Sequence, residues 1–221
     1  MENPQELPLF PLNTVLFPGM ALPLHIFEER YKLMISECIR ASQPFGVVLI
    51  RSGSEVGNEA KIQSTGTTAH IKQVERLGDG RMNIATLGYK RFRVQSTHTR
   101  KPYLTGVIEM FPLQDTDNPQ AKVLAAKMAP LLQSYLDIFA SLGNVEIEVD
   151  KLPDDPETLA FLTAIVLRTP QKDKQALLDV PDLVSLLRIE RKMLNREAHI
   201  LKMLIENGTR WRDDPKPFSL N

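Results

Sequence analysis

The apolar residues of this chain change their period part-way along it, and that change limits the possible folds more than any other feature. From Leu7 to about Phe111 they come in short runs or alternate with polar residues, punctuated by Gly, Pro and Asn, as strands and turns require. Beyond the polar cluster Gln114-Asp-Thr-Asp-Asn-Pro119 they recur at helical spacing. The expected organisation is a β-rich part over 1–113, a helical part over 118–207, and a frayed tail over 208–221 that includes Trp211.

Strands are expected at Leu7–Leu12, Ala21–Phe27, Phe45–Arg51, Gly66–Leu77, Arg81–Leu87, Phe92–Thr97 and Tyr103–Met110. One helix interrupts them at Glu28–Ser42, where Tyr31, Met34, Ile35, Cys38 and Ile39 share a face and Pro44 marks the stop. Short strands with one apolar face each close most economically into a small barrel that hides its edges. Gly78-Asp-Gly80-Arg-Met-Asn83 reads as a hairpin turn.

In the second half Asn118 can cap a helix that has Pro119 at its first position and an apolar stripe from Val123 to Phe139, with Pro130 expected to kink it. Similar cap chemistry recurs at Asp155-Pro156, at Thr169-Pro170 and just before Pro181, so three more helices follow. The last, about Asp182–Glu206, carries the stripes Leu186, Met193, Ile200 and Leu187, Leu194, Leu201. The adjoining register of Leu183, Glu190, Glu197 and Leu204 is half charged, so that face is expected to stay wet. A bundle is the expected packing, with a dimeric coiled coil as the sharper alternative. The fold class is therefore α+β, a small β barrel with one inserted helix followed by a helical bundle ending in a long helix.

Charge and motifs exclude several functions. Lys plus Arg (27) balance Asp plus Glu (27), so no global field draws the chain to nucleic acid or an anionic membrane. No apolar run reaches the roughly 18–20 residues of a membrane span. Cys38 has no partner for an internal disulfide, and the amino terminus lacks signal-peptide character, so a cytoplasmic setting is expected. No phosphate-binding glycine loop, zinc spacing or Gly-x-Ser-x-Gly elbow is present, and Cys38 lies on the apolar face of a helix. No cofactor, metal or enzymatic activity is expected.

One basic, aromatic patch stands out: Tyr89-Lys-Arg91-Phe-Arg93, followed by Arg100, Lys101 and Tyr103. With Phe92 and Val94 turned inward, Arg91 and Arg93 would face outward together and could hold phosphates, an alternative nucleic-acid role.

Leu7-Pro-Leu-Phe-Pro-Leu12, Asn13-Thr-Val-Leu-Phe-Pro-Gly19 and Leu22-Pro-Leu-His-Ile-Phe-Glu28 closely resemble the amino-terminal substrate-binding domain of Lon proteases. The resemblance continues through Arg30-Tyr31, Phe45–Ile50, Glu55–Gly57, Gly66–Ala69, Gly88 and Arg91–Val94 into Leu159–Leu162, Lys174–Leu178 and Leu183–Leu204. It implies a pseudo-barrel like that of PUA domains and a helical bundle, which together recognise unfolded or tagged polypeptides. The RNA-binding role of PUA domains is the analogy behind the alternative function. The chain ends at Asn221 without the ATPase and Ser/Lys protease modules of full-length Lon and so resembles the stand-alone Lon-domain proteins of bacteria.

Prolines 8, 11, 18 and 23 break the first segment into short extended pieces unsuited to a central ladder, and an irregular barrel lip is expected there. Phe17, Met20, His25 and Phe27 are the candidate contacts for extended or unfolded polypeptide, with Arg30 and Tyr31 orienting it. The protein would act as a monomer or weak homodimer, with a separate protease as an alternative partner.

Overall fold

The structure, a computed structural model, describes residues 5–53, 61–143 and 151–207. Glu55–Gly57 and the expected tail lie outside them. The described residues form strands β1 (Gln5–Leu12), β2 (Ala21–Ile26), β3 (Phe45–Ser52), β4 (Lys61–Arg76), β5 (Met82–His98) and β6 (Thr105–Met110). The helices are α1 (Glu29–Ala41), inserted between β2 and β3, then α2 (Pro119–Gly143), α3 (Pro156–Val166), α4 (Gln171–Leu178) and α5 (Leu183–Asn207).

Five strands close on themselves in the order β1-β3-β4-β5-β6, because β6 pairs with both β5 and β1. β2 joins outside this ring, antiparallel to the first part of β5. The two strands expected at Arg81–Leu87 and Phe92–Thr97 are one strand, β5. Gly88 marks a close backbone approach within it rather than a break: its amide donates to the Met20 carbonyl, and its own carbonyl accepts from the Gly19 amide, both at 2.9 Å. A Cβ at Gly88 would collide with the Phe17 carbonyl oxygen.

β1 also corrects an expectation. Despite Pro8 and Pro11 it is a full member of the ring, because its first half pairs with β6 and its second half with β3. Each half carries a ladder on one side, so a missing amide hydrogen is tolerated. The segment Phe45–Ile50 reads as one apolar run because both its faces are covered: Val48 points into the barrel with Leu7, Leu9, Phe92 and Ile108, while Phe45 and Val47 pack with α1.

Cap chemistry explains where the helices start. The Asn118 side chain accepts from the Gln120 amide at 2.9 Å, and Asp155 accepts from the Thr158 amide at 2.8 Å. At the other two sites the detail differs. Pro170 itself occupies the cap position of α4, with no side-chain cap, and α5 is capped by Asp182 after Pro181, through the Ser185 amide at 2.8 Å. α2 runs through Pro130 as one helix.

The helical half and the barrel share one apolar core. Val15, Phe17 and Leu49 from the β half pack with Met128, Leu132 and Leu136 of α2, Leu159 and Phe161 of α3, and Leu186, Leu187 and Leu194 of α5. The first part of the α5 face expected to stay wet is buried instead: Leu183 and Glu190 are both 0% exposed, whereas Glu197 is half-buried and Ile189, Ile200 and Met203 lie on the outside. Both carboxylate oxygens of Glu190 lack a hydrogen-bond partner, and burial raises this carboxyl well above its ordinary range. Helices α2, α3 and α4 all pack on α5, and Glu190 is covered among them.

Two predictions follow from the packing. A Cβ on Gly66 would meet the Val47 carbonyl oxygen and come within 2.7 Å of Phe92 Cζ, whereas Gly78 in the hairpin turn has open space. Gly66→Ala should therefore lower stability by about 1–3 kcal/mol in a denaturant titration, with Gly78→Ala near neutral. For Glu190 the folded-state pKa lies above the unfolded one. Its burden is thus absent at pH 4 and grows as pH rises from the unfolded value toward the folded one. Glu190→Leu should raise the melting temperature most at pH 7.5, by roughly 2–4 °C for each kcal/mol gained; a gain independent of pH would contradict the assignment.

Candidate functional site: the cleft between barrel and helices

The seam between the halves is held by polar bonds that converge on α4. The Val15 amide donates to Gln171 Oε1 at 3.0 Å, and Gln175 Nε2 donates to the Thr65 carbonyl at 3.2 Å. Arg91 Nη1 donates to the carbonyls of Leu178 and Val180 at 2.6 and 2.7 Å. These carbonyls stand at the carboxyl end of α4, where unpaired acceptors and the helix dipole favour a cation.

Arg91 is therefore not the outward-facing residue expected. It is 2% exposed, because the barrel face from which it projects is the one the helical half covers. Its guanidinium lies 4.6 Å from the Phe111 ring and 5.9 Å from the Phe161 ring, and burial draws its pKa down to about 10. Arg93 is exposed and stacks on the same Phe111 at 3.7 Å. Lys101 is neutralised by Glu37 at 2.6 Å, within a cluster that also includes Tyr103. Arg100 is exposed in the turn before β6. With Arg91 buried and Lys101 paired to Glu37, the patch on which the nucleic-acid alternative rested loses two of its four exposed cations.

The lip residues are likewise dispersed. Phe17 is in the shared core at 1% exposure and Tyr31 is buried edge-on against Phe10, so neither is available to a partner. Phe17 closes a run of three buried residues with Val15 and Leu16, and Tyr31 lies on the buried face of α1 with Met34, Ile35 and Cys38. Met20 is half-buried and packs against the shared core and the α1 core alike. Arg30 pairs with Glu28 at 2.9 Å and stacks on Tyr31. His25 and Phe27 are presented outward, Phe27 at 54% exposure, with their rings stacked and His25 hydrogen-bonded to Asn83. They line a shallow groove of about 170 Å³ beside Leu24 and Tyr31.

A larger concavity lies elsewhere, along the seam. One part, of about 430 Å³, is walled by Pro18, Met110, Pro112, Leu113 and Phe161, with Lys90, Arg91, Glu109 and Glu157 among them. A second part, of about 330 Å³, shares Pro18, Glu157 and Phe161 and continues along α3 past Leu162 and Ile165. The walls are chiefly apolar with a few charged groups, the composition of a binding cleft. The lip contributes Pro18 and Gly19, β5 contributes Lys90 and Arg91, β6 contributes Glu109 and Met110, and the β6–α2 connection and α3 supply Pro112, Leu113, Glu157, Phe161, Leu162 and Ile165. Sequence periodicity marks α3 as an apolar helix but not which of its residues border a cleft.

Glu157 sits half-buried near the start of α3, and burial raises its carboxyl above the ordinary range even though Arg91 opposes this. Cys38 is buried beneath α1, and its thiol is pushed up to about 11, mainly by burial, which suits an inert core residue. Among the described residues no group of three or more His, Cys, Asp or Glu is placed to hold a metal, and no helix is long and apolar enough to cross a membrane.

Comparison with known proteins places this architecture. The family model of the ATP-dependent protease La (LON) substrate-binding domain matches residues 6–196. The chain belongs to this family. Among curated relatives, Lon protease 2 of Myxococcus xanthus is 29% identical over 90% of this chain and 24% of that protein, and the Lon protease of Anaeromyxobacter dehalogenans is 28% identical over the same shares. The chain thus spans about a quarter of the length of these relatives. A Lon N-terminal domain protein from Xanthomonas campestris superposes with a TM-score of 0.63 at 26% identity, covering 83% of this chain and 95% of that one. The N-terminal domain of the Mycobacterium avium complex Lon protease shares the fold at a TM-score of 0.67 and 19% identity, over 86% of this chain and 98% of that one. The resemblance in the Pro-rich first segment is thus confirmed at the level of family and fold.

Within this Lon substrate-binding domain, Arg91→Leu leaves the Leu178 and Val180 carbonyls without their donor. It should lower stability by about 1.5–3 kcal/mol, with faster hydrogen exchange concentrated in 171–180 rather than in the barrel.

Proposed function

We propose that this chain binds extended or partly unfolded polypeptide in the cleft between barrel and helices and carries out no bond-breaking chemistry on it. The cleft itself carries this reading: an apolar trough walled by Pro18, Met110, Pro112 and Phe161 and extended by Leu162 and Ile165. Flat rings, prolines and a flexible Met accept varied side chains without demanding one sequence. Membership of a substrate-binding family supports the same conclusion. Cleavage of a bound client falls to a separate protease, in the cytoplasm, where the domain works as a monomer or weak homodimer.

The proposal moves the contact surface from the lip residues His25 and Phe27 to α3 and the β6–α2 connection. Calorimetric titration with a reduced, carboxymethylated model protein distinguishes the two. The double variant Leu162→Asp, Ile165→Asp should weaken binding about tenfold or more, while Phe27→Ser should leave it within about twofold. Incubation with ATP or with casein should give no turnover. Absence of heat with any denatured protein would reject the proposal, and a strong effect of Phe27→Ser alone would return the site to the lip.

A further inference from the structure

The structural role of Arg91 uses less than half of its guanidinium. Arginine carries five N–H donors, and here Nη1 supplies the bonds to Leu178 and Val180. Nε and Nη2 are both buried and have no hydrogen-bond partner. The N–H of Nε and the adjacent N–H of Nη2 point in parallel, and together they form the edge with which arginine grips a carboxylate through two bonds. Buried donors of this kind are nearly always satisfied, so an unfilled pair on a residue lining a cleft marks a place for an acceptor.

The surroundings narrow the choice of acceptor. Glu157 lies on the cleft wall contributed by α3, and it and Arg91 influence each other electrostatically, yet they form no ion pair. Arg93 adds a second cation on the Phe111 ring beside Arg91. Glu109 and Glu157 both border the same space, which disfavours a doubly charged phosphate over a singly charged group. A planar carboxylate matches the edge in geometry and in charge.

We propose that the cleft anchors one carboxylate of the bound polypeptide, from an acidic side chain or the chain terminus, on the Nε and Nη2 edge of Arg91. The apolar walls take the neighbouring residues, and the half-buried Glu157 side chain turns aside to admit the acid. The inference rests on the polypeptide-binding reading above and adds to it a chemical preference. Without that edge, no paired donor among the described residues of the cleft would match the two oxygens of an acid better than its amide.

Three versions of one extended apolar peptide test this by fluorescence anisotropy at fixed salt. Two carry a central Glu or Gln with an amidated terminus, and two carry the central Gln with a free or an amidated terminus, the last being common to both pairs. An acid should bind about tenfold more tightly than its amide in at least one pair, and the pair that responds identifies the source of the carboxylate. Arg91→Lys keeps a positive charge but lacks the two-pronged edge, and should bring that ratio close to one, with folding checked by circular dichroism. Glu157→Gln removes a competing carboxylate and should enlarge the ratio whether or not the Arg91 variant folds. Equal binding of acids and amides by the wild-type domain would overturn the inference while leaving polypeptide binding intact. Failure to bind these peptides and denatured proteins alike would overturn both.

Discussion

One buried cation joins the two halves of this molecule. Arg91 projects from the barrel into the helical half and ends on two carbonyls at the close of α4. Arginine stays charged in such a place because its charge is delocalised and weakly hydrated, and because helix-end carbonyls replace part of the lost water. The bonds of Gln171 and Gln175 to the β half add to the same attachment. With α4 docked in this way, Val15, Phe17 and Leu49 complete a core that neither half could close alone. The cleft bordered by Pro18 and Phe161 is the gap that this docking leaves open.

Glu190 shows the opposite response to burial. It sits at 0% exposure in the helical half with no hydrogen-bond donor to hold its charge, so its environment favours the neutral acid. Arg91 has two well-placed acceptors and aromatic rings around it and keeps its proton, with a pKa still near 10. The two groups illustrate why burial alone does not assign a role. The partners at hand decide whether an ionisable side chain fastens elements together or weakens them as pH changes.

Much of the fold was legible in the residues themselves. The shift in period after Phe111, the helix inserted at Glu29–Ala41, the caps at Asn118 and Asp155, and the turn at Gly78–Arg81 all depend on short-range chemistry, which acts the same way wherever the segment lies. β5 was split in two because Gly88 resembles a break, when its missing side chain makes room for the backbone of the lip. The site was less legible. Alternation places Arg91 and Arg93 on the same side of a strand, but burial of one and exposure of the other depend on a helix more than 80 residues further along.

The sequence by itself determined which segments are strands and which are helices, and it carried the family in the Pro-rich run from Leu7 to Glu28. These properties arise from neighbours a few residues apart, through periodicity, capping and fixed proline dihedrals. Tertiary structure alone decided that β1 accepts its prolines, that Glu190 is dry, that Phe17 and Tyr31 belong to the core, and that a cleft opens beside Arg91. Each of these turns on which surface covers which. That is settled by contacts between residues distant in the chain, where a local pattern marks a face as apolar or polar but does not say what will lie against it.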